Sequence, residues 1–110
     1  MATTYKVLGQ SNPAATTLTT LYTVPASTQT VISTITVANQ AATAATYRIA
    51  VRPAADETTV NKHYIVYGAT VAANDSTLLT LGITLAASDV ITVFASTANL
   101  AFSAFGSQIS

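Results

Sequence analysis

Alternation with a period of two runs through most of this chain, and no other feature narrows its fold as far. In "TQTVISTITVA", Val31, Ser33, Ile35 and Val37 fall on one face and Ile32, Thr34, Thr36 and Ala38 on the other. Branching at Cβ restricts such residues in a helix and suits a pleated surface, so the run predicts a long strand. "ATYRIAVR" alternates more cleanly, with Tyr47, Ile49 and Val51 opposite Thr46, Arg48, Ala50 and Arg52. That is the pattern of a strand with one dry and one wet face. "KHYIVY" sets His63, Ile65 and Tyr67 against Lys62, Tyr64 and Val66. "VITVFAS" sets Ile91, Val93 and Ala95 against Val90, Thr92 and Phe94. The expected inward residues are Ile35, Val37, Ile49, Val51, Ile91 and Val93, with Tyr47 in the core beside its face companions.

Four further segments predict strands: Tyr5 to Gln10, Thr17 to Val24, Ser76 to Leu81, and Leu100 to Ile109 with an irregularity at Gly106. Ala-rich "NQAATAAT" is short, lacks an apolar face and lies between two β-branched runs, so a loop is expected there despite the helix propensity of alanine. Pro13, Pro25 and Pro53 stand at segment ends, where a missing N–H costs a ladder nothing. About eight strands at such spacing, with no helix, define an all-β chain: one two-sheet β-sandwich spanning 1–110, of jelly-roll or immunoglobulin-like type. Residues 1–13 have few apolar anchors and are expected to be an N-terminal arm that a neighbour orders in an assembly.

Composition bears on the setting. Thr and Ala supply 21 residues each, and only 7% of the chain is charged, against about a quarter in ordinary soluble domains. A surface covered by Thr, Ser, Asn, Gln and Ala, at zero formal net charge, has little electrostatic protection against self-association. A subunit that hides much of its surface in an assembly is the expected explanation, the alternative being a secreted or particle-borne protein that evolved without cytosolic solubility constraints. Four scattered cations cannot form the basic stripe that a phosphate backbone requires, so no nucleic-acid partner is expected. Without cysteine there are no disulfides and no thiolate chemistry. The start "MATTYKVLGQ" lacks the basic and apolar regions of an export signal, and no apolar run approaches a membrane span. Synthesis in a host cytoplasm and no membrane partner are expected.

Candidate chemistry is sparse. His63 is the single histidine. As a general base it would need a nucleophile and an orienting carboxylate, and one imidazole makes a metal site only if several chains each contribute one about an axis. It is expected to be a strand residue with a structural hydrogen bond. Asp56, Asp75 and Asp89 close the loops "PAAD", "AAND" and "AASD", where Asp and Asn bond nearby amides; calcium loops gather more acidic oxygens. No catalytic residue, metal or cofactor is expected. Tyr64, opposite His63 in the alternation and beside Lys62, is the leading interface candidate, with His63 and Tyr5 alongside it, because tyrosine is enriched at interfaces.

The segments "SNPAATTLTTLYTVPASTQTVISTITVANQAATAATYRIAVRP", "HYIVYGATVAAND" and "DVITVFASTANLAFSAFGSQI" resemble a group of small structural proteins of tailed bacteriophages over nearly the whole chain. "LYTVPA" and the segment Asn99 to Ile109 carry the resemblance most distinctively. It implies a non-enzymatic virion component and carries over no functional residue. The expected role is a multi-copy capsid decoration or cement protein, trimeric by preference, partnered by its own copies and by another virion protein such as the major capsid protein. Alternatives are a tail, neck or baseplate subunit, or a receptor- or glycan-binding module of the virion.

Overall fold

A computed structural model describes residues 2–110. Its eight strands are β1 (Thr3–Ser11), β2 (Thr19–Thr23), β3 (Gln29–Asn39), β4 (Ala45–Arg52), β5 (Tyr64–Val71), β6 (Ser76–Leu85), β7 (Val90–Ala95) and β8 (Leu100–Ile109), with one 3-10 turn at Asn61–His63. The first sheet has the order β1-β8-β3-β6 and the second β2-β7-β4-β5, and every neighbouring pair is antiparallel. The pairs β1–β8, β2–β7, β3–β6 and β4–β5 are nested: the chain is one long antiparallel ribbon rolled into two layers. This connectivity is that of a jelly roll and not of the immunoglobulin sandwich.

The inward faces meet in one core. Ile32, Ile35, Val37, Ile49, Ile91, Val93, Leu100 and Phe102 are at most 1% exposed, each side chain worth about 1.5–3 kcal/mol of removed apolar surface. Tyr47 packs edge-on to Phe102 with ring centroids 6.1 Å apart, and burial pushes its phenol above the ordinary tyrosine range. Five of the six expected inward residues are fully buried. Val51 is only half-buried against the core edge, because β4 is leaving the sandwich there toward Pro53. At the other end Gln108 Nε2 donates to the Tyr22 hydroxyl at 2.7 Å, which shares a 2.8 Å bond with Thr30 Oγ1. That chain satisfies the polar tips inside the layer.

β-Bulges alter the alternation. The β3 register shifts between Ile32 and Thr34 against both neighbours, so Ile32 and Ile35 both point inward and Val31 is left half-exposed, although simple alternation groups Val31 with Ile35. The irregularity expected at Gly106 lies on the same level, where Gly106 pairs with Ile32 and Lys6. A Cβ at Gly106 would collide with the backbone carbonyl of Val31, so the close approach of β8 to β3 requires glycine.

Other boundaries differ from expectation for identifiable reasons. Of residues 1–13, expected to be an arm that a neighbour orders, Met1 lies outside the described residues, and Thr3–Ser11 run as β1 along β8 of their own chain, where a strand was expected at Tyr5 to Gln10. Main-chain ladder bonds hold β1 where apolar anchors are few. Asn39, which local pattern does not single out, is buried; its amide donates to the carbonyls of Thr43, Val71 and Ala72 at 2.9–3.3 Å and its Oδ1 accepts the Ala41 amide. It thereby pins the β3–β4 loop to the β5–β6 turn. "AAND" and "AASD" fold alike, each with a 3.2 Å bond from the Asp amide to the Ala carbonyl three residues back and with Asn74 or Ser88 at positive φ. Asp75 accepts its neighbour's amide, and Asp89 accepts the amides of Ala86 and Ala54.

Candidate functional site

The loop joining β4 to β5 begins at Pro53, which cannot extend the ladder, and turns back through a 3.0 Å bond from the Asp56 amide to the Pro53 carbonyl. It ends in the 3-10 turn, so His63 precedes β5 and is not within it. The physical reason is local. The Val60 amide donates to His63 Nδ1 at 3.0 Å while the His63 amide bonds the Val60 carbonyl at 3.0 Å, which closes the turn before extended pairing starts. An Nδ1 that accepts leaves the proton on Nε2, which donates to Asp56 Oδ2 at 2.8 Å.

An imidazole held by a carboxylate is half of a hydrolytic triad. Here the second ring nitrogen already accepts a backbone amide, so no lone pair faces a nucleophile or a metal ion. His63 is 4% exposed and both its nitrogens work inside the chain. Its partner is Asp56, which thus does more than shape its own turn. Lys62 Nζ lies 3.8 Å from the same carboxylate oxygen, and Arg52 donates to the Asp56 carbonyl at 2.6 Å.

The hydrogen bond from His63, with smaller contributions from the charges of Lys62 and Arg52, holds the Asp56 carboxyl below its ordinary value of 3.8. A carboxyl whose folded pKa lies below its unfolded one stabilises the fold fully above the unfolded value and loses that stabilisation as pH falls through the folded one. Melting temperatures recorded from pH 6 down to pH 2 are therefore expected to show an acid-dependent drop below about pH 4 that Asp56→Asn lacks. Parallel curves for the two proteins would remove Asp56 as its source.

On the outer face of the second sheet lies a different cluster. Register places Tyr67, Arg48 and Phe94 side by side across β5, β4 and β7. The Arg48 guanidinium carbon sits 4.2 Å from the Tyr67 ring centroid and 4.4 Å from that of Phe94. β5 carries register shifts opposite Tyr47/Arg48 and Ile49/Ala50. The second shift brings Tyr64, which alternation places on the far face from Tyr67, to 5.0 Å from it in an edge-to-face pair. Tyr67 is the more exposed of the two, at 63%. The expected inward residues of β4 and β7 leave Arg48 and Phe94 on the outer faces of their strands, but that the two strands are neighbours, with these residues opposite each other, is not a local feature.

Tyr5 stands on the opposite side of the molecule, on the outer face of the first sheet, where it is 84% exposed. His63, Tyr64 and Tyr5 are thus not brought together: His63 is internal, Tyr64 belongs to the second sheet and Tyr5 to the first. Around Tyr5 lie Val31, Phe105 and Ser107, with Val7 and Leu78 exposed farther along. Among the strands of the first sheet Lys6 is the one charged residue. The chain matches no protein-family model, no curated protein and no solved structure.

Proposed function

We propose that this chain is a non-enzymatic structural protein of a virion, used in many copies and attached through the outer face of its first sheet, with capsid decoration as its role. The observation that carries the reading is the separation of charge in the fold. Seven of the eight charged residues lie in the second sheet or in loops, and the first sheet keeps only Lys6. An uncharged sheet face that exposes Tyr5, Val7 and Leu78 is poorly suited to remain in water and well suited to lie against another protein. β6 adds to this: it is a ten-residue edge strand without charge or proline, an edge that proteins ordinarily protect. The resemblance of the sequence to small phage structural proteins points the same way.

Cryo-electron microscopy of the intact particle tests the proposal. Density for the sandwich on the shell, with Tyr5 and Leu78 facing capsid or a second copy, is the expected result. Density restricted to positions below the portal assigns the tail, neck or baseplate role instead, and a particle that lacks the chain overturns the virion reading altogether.

A further inference from the structure

Arg48 is a charge flanked by two aromatic rings, and among the described residues no acid pairs with it. Its guanidinium carbon lies over the rings of Tyr67 and Phe94, 4.2 and 4.4 Å from their centroids, on the strand between theirs. The ion pair among the described residues goes to Asp56 from Lys62, and Asp56 also takes the hydrogen bond of His63. None of β2, β4, β5 and β7 contains an acid. Arg52, the other cation of β4, is turned to the Asp56 carbonyl. A guanidinium stacked in this way has already given up side-chain freedom, and its planar fork fits the two oxygens of a carboxylate.

Beside it Asn61, Tyr64 and Tyr67 line an open, shallow depression of the surface. The exposed Tyr67 ring offers an apolar surface with a hydroxyl at its rim, and Asn61 offers both a donor and an acceptor. An acidic peptide side chain would use the fork and leave the rest idle. A sugar ring that carries a carboxylate uses all of it: the acid on Arg48, the C–H face on Tyr67, the hydroxyls on Asn61.

We propose that Arg48, Tyr67, Tyr64 and Asn61 form a binding site for an acidic saccharide, a uronate or sialate unit, on the outer face of the second sheet. This goes beyond a structural role and does not depend on it, since the face lies opposite the one proposed for attachment.

The test is titration of the full chain, labelled with ¹⁵N, with sialyl-lactose, with a glucuronate disaccharide and with neutral lactose. Amide shifts clustered at Asn61, Tyr64, Tyr67 and Arg48 are expected with at least one acidic sugar at up to about 10 mM and not with lactose. Arg48→Gln and Arg48→Lys are each expected to weaken that binding about tenfold, lysine because a point charge cannot reproduce the fork. Asn61→Ala, at an exposed position that leaves the stacked rings in place, keeps the test meaningful should an Arg48 variant unfold; it is expected to weaken binding about threefold. Absence of shifts with both acidic sugars, equal shifts with lactose, shifts centred elsewhere, or equal shifts with a short Asp/Glu peptide would each overturn the proposal.

Discussion

Ile49→Ala is expected to lower the unfolding free energy by about 3–4 kcal/mol, and Val51→Ala, two residues on along the same face, by about 1 kcal/mol. The difference follows from where each side chain ends. Ile49 is 0% exposed, at the centre of β4 between β5 and β7, so truncation leaves a cavity that paired backbone on both sides cannot collapse into. Val51 is half-buried, and solvent can fill part of what it vacates. Urea denaturation with unchanged slope and a lower midpoint for Ile49→Ala is the measurement. Equal losses for the two variants would mean that β4 is more deeply enclosed at its end than its exposure indicates.

Gly106→Ala is expected to be as damaging, by a mechanism with no cavity in it. The added Cβ would overlap the Val31 carbonyl and stand 3.0 Å from Ile32 Cα. Both obstacles are main chain of β3, held by ladders to β8 and β6, and cannot swing aside as a side chain would. The strands must part, at a cost of about 3 kcal/mol or more. Gly82→Ala is the matched control: nothing lies within 4 Å of its added Cβ, so its unfolding free energy should stay within about 0.5 kcal/mol of the parent or rise slightly as the unfolded chain loses freedom. A Gly106→Ala protein as stable as Gly82→Ala would show that the inter-strand spacing at this level adjusts freely.

The strands themselves were legible because alternation and branching are local: β3, β4, β7 and β8 stand where the pattern puts them, and the ends of β2 and β6 move by a few residues. Bulges were not. A single inserted residue reverses the phase beyond it, which is why Val31 parts from Ile35 and why Tyr64 joins Tyr67; whether one is inserted depends on the neighbouring strand. The partnership of His63 with Asp56 was hidden for a similar reason. Both residues were noticed, one as a strand residue and one as a turn residue, yet the bond between them needs a 3-10 turn set by the Val60 amide. Sheet order and the Arg48 stack are wholly non-local, since Phe94 lies 46 positions from its partner along the chain.

The nesting of strand pairs bears on the entropy of closing the chain. Joining β1 directly to β8 would tie a loop of nearly the whole sequence. After β4 and β5 have met, only the links 40–44 and 72–75 separate β3 from β6; next come 24–28 and 86–89, then 12–18 and 96–99. Because closure entropy depends on the residues newly confined, contacts between the most distant parts of this sequence can be reached through three successive short searches. The reciprocal bonds between Ala2 and Ser110, at 2.8 and 2.9 Å, are the last stitches of that seam.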